Sequence, residues 1–164
     1  MSDKRRRESR FHQGLSCDPR FIFLLKFFRI TISDFGYRAM KFARYVFYAA
    51  GIYGILVLAP QYFLESKIGL DYPPAITHPE YFYGFTGVAL AFQLVFLIIA
   101  RDPVRYRAMI IPSIAEKFSF AAAAVVLYLQ DRLPAAMLFA GLIDLAFGLL
   151  FIASYILLSK PNKP

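Results

Sequence analysis

Four long apolar stretches dominate the pattern of this chain, separated by short polar segments. They cover residues 45–64 (YVFYAAGIYGILVLAPQYFL), 81–100 (YFYGFTGVALAFQLVFLIIA), 109–129 (MIIPSIAEKFSFAAAAVVLYL) and 134–158 (PAAMLFAGLIDLAFGLLFIASYILL). Each reaches the roughly 20 residues that a helix needs to cross about 30 Å of hydrocarbon. The runs are too long and too uniformly apolar for the alternating segments of roughly ten residues that build a membrane barrel. The pattern predicts an all-α fold, an integral membrane four-helix bundle with short antiparallel connections.

Local signals place the ends of these helices. Thr77-His78-Pro79-Glu80 has the spacing of a capping box, with Thr77 as N-cap and Glu80 three residues on. Asp131-Arg132-Leu133-Pro134 reads as a tight turn, which makes the third and fourth spans antiparallel neighbours. Pro112 falls in a first helical turn, where it is tolerated. Pro60 lies inside the first span and is expected to disturb its outer end.

Charge then gives the spans a direction. Arg38, Lys41 and Arg44 precede the first span, Arg101, Arg105 and Arg107 (RDPVRYR) separate the second from the third, and Lys160 and Lys163 follow the fourth. The other two connections hold Lys67 and Arg132 against Glu65, Asp71, Glu80 and Asp131. Basic loops stay on the cytoplasmic side, so both termini and the RDPVRYR loop are expected there, in a cell (inner) membrane. Arg101, Arg105 and Arg107 read as lipid and topology anchors.

Composition sharpens this picture in one place. Hydrophobic residues make up 59% and charged residues 18% of the chain, more apolar surface than a small globular core can bury. The net charge of +8 is concentrated in residues 1–44, with 11 Lys/Arg against four Asp/Glu. Residues 1–39 are therefore read as a basic N-terminal extension, disordered or interfacial, and residues 40–164 as the membrane domain. Within the extension, residues 21–32 (FIFLLKFFRITI) are too short to span and suit an interfacial helix. Met40, in MKFARYVFYAAG, is a second candidate start. Lys4-Arg5-Arg6-Arg7 beside membrane spans points to anionic lipid rather than nucleic acid.

Ionisable groups cost roughly 2.5–3.5 kcal/mol each at the centre of a span on insertion scales, so those inside the apolar runs are the candidate chemistry. They are Glu116, Lys117 and Asp144, with Gln93 and Tyr53 as milder cases. At about 1.5 Å rise per residue, Gln93 and Glu116 lie roughly 10 Å from the cytoplasmic ends of their helices and Tyr53 about 12 Å. Asp144 lies nearer the bilayer centre. The four helices can thus place Tyr53, Gln93, Glu116 and Asp144 around one polar cavity.

Two face assignments follow from spacing. Ala136, Ala140, Asp144 and Gly148 form a row of small residues that would turn Asp144 into the bundle. Ser113, Glu116 and Ser119 form a polar face beside a small Ala115–Ser119–Ala123 row. Lys117 is rotated by about 100° from Glu116, so the adjacent pair is not expected to neutralise itself. Lys117 is left to reach for the headgroups or to turn toward Asp144. The competing reading of all these groups is plain helix–helix glue, at about 0.6 kcal/mol per contact.

No phosphate loop, HExxH, CxxC or GxSxG occurs, and the one cysteine, Cys17, forms no internal disulfide. A metal and a cofactor are not expected, and whether the chain is an enzyme stays open, with the balance against it.

From about residue 40 to residue 158 the chain resembles the small bacterial four-span proteins grouped around the DoxX-like families. The likeness rests on RDPVRYR after the second span, AEK early in the third, the LQDRLPAA turn and LIDLAFG in the fourth. It implies a compact four-helix bundle, in a grouping sometimes linked to quinone or redox complexes, and carries over no catalytic residue. Three functions remain open on the sequence. They are a bundle that binds a small hydrophobic ligand or acts as accessory to a membrane redox system, an oligomeric proton or cation transporter or channel subunit, and a structural assembly factor. Homo-oligomers or a membrane complex fit each of them.

Overall fold

The computed structural model describes the backbone of residues 19–159 and the side chains of residues 34–159. The predicted N-terminal basic run, Cys17 and the lysines after Ser159 lie outside the described residues. Five α-helices follow in order: α1 (Pro19–Leu58), α2 (Glu65–Asp71), α3 (Pro79–Arg101), α4 (Ile110–Leu129) and α5 (Ala135–Ser159). Short 3-10 turns at Ala59–Phe63 and Arg107–Met109 complete the described elements, and the fold is all-α. Four stretches, Asp34–Phe63, Pro79–Arg101, Arg107–Leu129 and Ala135–Ser159, are long and apolar enough to cross a membrane. The chain is a multi-pass membrane protein whose apolar faces meet the bilayer.

The first helix differs from its predicted bounds. Residues 21–32 belong to the same unbroken helix as the first span, because no proline interrupts residues 20–59 and propagation adds one hydrogen bond per residue fixed. Among the described residues, contacts divide the chain into a unit up to Arg38 and a unit from Ala39 to Ser159. Pro60, lacking an N–H, sits at the start of the 3-10 turn that ends α1.

The capping box does not form. α3 begins at Pro79 with His78 as N-cap and no side-chain cap, so Glu80 falls one position short of N3. Its carboxylate instead pairs with His78 Nδ1 at 3.2 Å.

The turn between α4 and α5 is a Schellman cap. Arg132 N–H donates to the Leu127 carbonyl at 2.9 Å and Asp131 N–H to the Tyr128 carbonyl at 3.0 Å. Asp131 takes the left-handed φ of 55° that this cap requires, a conformation in which a short polar side chain is tolerated better than most. The turn folds α5 back along α4.

Inside a bilayer, lipid tails remove most of the hydrophobic drive for helix association, and close packing takes its place. Three fully buried phenylalanines, Phe47 of α1, Phe96 of α3 and Phe151 of α5, form the centre of the core. Phe47 stacks on Phe151 at 4.1 Å, and Phe96 meets Phe151 edge-on at 5.0 Å. Glycines set the closest approaches. A Cβ on Gly141 would stand 2.6 Å from the Ala124 Cβ, and one on Gly148 2.7 Å from the Phe118 ring. A Cβ on Gly54 would overlap the Gln93 carboxamide.

These contacts correct the predicted row on α4 and the start of the one on α5. Ala136 is exposed and Ala140 half-buried, whereas Gly148 of the predicted row is buried together with Gly141, Phe151 and Ser154, and Asp144 meets Lys117 of α4. A strict four-residue row drifts by about 40° per step around a 3.6-residue helix, whereas alternating steps of three and four hold one face. On α4 the buried face is Ile110, Ser113, Lys117, Ala121 and Ala124, while Ala115, Ser119 and Ala123 are exposed. Lys117 is the most deeply buried charged residue of this face, with Glu116 half-buried at its edge.

Candidate functional site

Lys117 lies at the centre of the buried polar groups. Its Nζ donates to Asp144 Oδ1 at 3.0 Å across the α4–α5 seam and stands 3.5 Å from Glu116 Oε2 on its own helix. It also lies 5.2 Å from the centroid of the Phe96 ring of α3, within the range of a cation–π attraction. The lysine is only 4% exposed, so it does not reach for the headgroups. The predicted separation of Glu116 from Lys117 fails because both side chains are long enough to bend across the 100° between their Cβ directions.

Lys117 therefore spans the difference in depth between Glu116 and Asp144. At an effective dielectric constant of about 20, each of its two carboxylate contacts is worth on the order of 5 kcal/mol. Inserting three ionised groups costs roughly 2.5–3.5 kcal/mol apiece. Repulsion between the two carboxylates offsets part of that attraction, so the ionised triad gains nothing net over its insertion cost, as is common for buried ion pairs. The triad thus adds little stability over an apolar seam, and it sets two carboxyl groups against one amine.

The remaining valences are specific. Glu116 Oε2, at 3.5 Å from Lys117, has no hydrogen bond and is buried. Ser113 and Ser119 do not serve it: Ser113 donates to the Met109 carbonyl at 2.7 Å and Ser119 to the Glu116 carbonyl at 2.8 Å. These hydroxyls satisfy themselves on their own helix, as serines in helices often do. Tyr53 of α1 packs on Phe147, one turn after Asp144 on α5, with ring centroids 5.8 Å apart. Four of the five predicted polar residues, Tyr53, Glu116, Lys117 and Asp144, are thus brought to one region.

Gln93 is not part of that group. Its Nε2 donates to the Ala89 carbonyl at 2.9 Å, its Oε1 is buried without a partner, and its carboxamide fills the space left by Gly54. Among the described residues it makes no hydrogen bond or ion pair with the triad. It packs α3 against α1.

At the end of the bundle that holds the RDPVRYR loop, the three arginines have different surroundings. Arg107 stacks over the Tyr155 ring at 4.2 Å and donates to the Ser159 hydroxyl, tying the loop to α5. That structural contact was missed by the reading of Arg107 as a plain lipid anchor. Arg101 and Arg105 are exposed. The pairing of an arginine with Tyr155, some fifty residues on, has no signature in sequence spacing.

Compared with known protein families, curated proteins and solved structures, the chain finds no match.

Proposed function

We propose that this chain is a cell-membrane protein with both termini and the RDPVRYR loop in the cytoplasm. We further propose that its Glu116–Lys117–Asp144 triad binds a small lipid-soluble molecule bearing a hydrogen-bond donor or a positive charge. The observation that carries the second reading is the buried Glu116 Oε2 without a hydrogen bond, in a group of two carboxyls that share one amine. Its contact with the Lys117 ammonium at 3.5 Å is an ion pair too long for a good hydrogen bond, so the oxygen retains part of the roughly 1–3 kcal/mol cost of an unsatisfied buried acceptor. A hydroxyl or amine presented from the bilayer would remove that cost. A hydroxylated ring of the quinol type meets the requirement, which agrees with the link to redox complexes that the DoxX-like resemblance implies.

Orientation rests on the agreement of the basic clusters and is tested by a reporter fused after Lys160 that is active only outside the cytoplasm. It should stay silent. Activity there would reverse the proposed topology.

The ligand reading is tested with duroquinol as the donor probe and tetraphenylphosphonium as the cationic one, using the purified protein and Glu116→Gln. This variant leaves Lys117 paired with Asp144 at net zero charge, so the fold is retained. Duroquinol binding, cation binding or both should weaken at least about tenfold, the 1.4 kcal/mol scale of one neutral hydrogen bond. Equal binding of both probes to the two proteins, or no binding to either, would remove the proposal.

A second reading, a proton path in an oligomer, is favoured by Tyr53, which packs on Phe147 one turn from Asp144. It would give proton flux in proteoliposomes that Glu116→Gln abolishes.

A further inference from the structure

The arginines at the RDPVRYR end are brought together by backbone geometry. Asp102 Oδ1 accepts the Arg105 N–H at 3.0 Å, and the Asp102 carbonyl accepts the Tyr106 N–H at 3.1 Å. With Pro103 buried beneath, this closes a compact turn carrying Arg101, Arg105 and Arg107. Arg44 of α1 joins them, its Nη2 donating to the Arg101 carbonyl at 3.1 Å.

Four guanidinium groups from three parts of the bundle therefore share one end. Their observed partners are neutral: a carbonyl for Arg44, a hydroxyl and a ring for Arg107, and the Tyr106 ring, 5.5 Å away, for Arg105. Among the described residues, none of the four is ion-paired with a carboxylate. Arg107 Nε is also a buried donor without an acceptor. Val104 and Met109, on the same turn and its exit, are exposed apolar residues, as suits a surface lying at the level where acyl chains meet headgroups.

We infer that this cluster is a binding site for a phosphate group, supplied either by an anionic lipid headgroup or by phosphate from solution. Guanidinium groups match phosphate with paired N–H donors, and a phosphate here would relieve the repulsion between like charges held on one turn. Because Arg44 belongs to α1 and Arg107 is tied to α5, occupancy would also brace the ends of these helices. This goes beyond topology anchoring, which needs only the sign of the charges. It is independent of the ligand proposed for the triad.

The test uses the full chain, delipidated in a neutral detergent, and thermal unfolding. Arg101→Gln/Arg105→Gln removes two guanidiniums that hold no helix in place, and Arg132→Gln, in the α4–α5 turn, serves as control. Phosphatidylglycerol should raise the Tm of the parent and of Arg132→Gln by about 5 °C or more at saturation, and that of the double variant by less than a third as much. Phosphatidylcholine should give no such rise. An equal rise with inorganic phosphate, measured against chloride at matched ionic strength, would identify the soluble anion as sufficient. A rise with phosphatidylglycerol alone would identify the lipid. Equal shifts from both lipids, an undiminished shift in the double variant, or no shift in the parent from lipid or phosphate would overturn the site.

Discussion

Lys117→Met should lower the stability of the folded protein by about 3–5 kcal/mol, the usual cost of removing one partner from a buried ion pair. Methionine nearly matches the length of the lysine stem, so the loss is electrostatic rather than steric. It leaves Glu116 and Asp144, at most 14–17% exposed, as two uncompensated carboxylates inside a membrane bundle. Glu116→Gln behaves differently, because it leaves the 3.0 Å pair of Lys117 with Asp144 intact and the group neutral. Its stability should change by less than about 1 kcal/mol. The triple replacement Glu116→Gln/Lys117→Met/Asp144→Asn should recover most of what Lys117→Met loses, since no charge is then left unpaired. Reversible unfolding in mixed micelles measures all three. If Lys117→Met proves as stable as the parent, the carboxylates are already neutral or solvated, and the triad does not exist as an ionic group.

That contrast also marks how far the sequence carried the site. The identities of Glu116, Lys117 and Asp144 as the costly groups were legible, because an ionisable residue in an apolar run stands out whatever its neighbours. The direction of Lys117 was not. Helical spacing fixes Cβ directions, but a lysine side chain has enough reach to choose among a headgroup, a carboxylate on its own helix and one on the next. Only the position of α5 decides that choice. Three of the four apolar helices were legible to within two residues at their ends, since length and apolarity are properties of the segment itself. The exception, α1, extends far beyond its apolar run, because helix propagation is indifferent to whether side chains are apolar. The row on α4 and the start of the one on α5 were misread for a further reason. Small residues recur on several faces of both helices, and only contact with the neighbour distinguishes the glycines that are required from the alanines that face outward. Gln93 shows the same limit, as its partner is the missing side chain of Gly54.

Gly141→Leu should be among the most damaging substitutions of a small residue in the chain. A Cβ at Gly141 would stand 2.6 Å from the Ala124 Cβ, a separation that side chains essentially never show. The obstacle cannot rotate away, because the Ala124 Cβ is fixed to its backbone. Either α5 moves off α4 or the leucine takes a strained rotamer, and overpacking of this kind typically costs about 1–3 kcal/mol or more. Gly148 makes a useful comparison. There the nearest atoms belong to the Phe118 ring, at 2.7 and 3.0 Å, and a ring can turn, so Gly148→Ala should cost less than Gly141→Ala. Gly84 supplies the control, since nothing lies within 4 Å of a Cβ placed there. Gly84→Leu should be neutral or slightly stabilising, by up to about 1 kcal/mol from helix propensity. Ala124→Gly in the Gly141→Ala background should restore part of the loss by returning the missing space. Gly141 lies one turn before Asp144, so displacing α5 there also lengthens the Lys117–Asp144 contact. Gly141→Leu should accordingly weaken duroquinol binding as well as stability, while Gly84→Leu leaves both unchanged. Equal stability of Gly141→Leu and Gly84→Leu in the same micelles would mean that α4 and α5 do not meet at this glycine, and the seam that holds the triad would have to be redrawn.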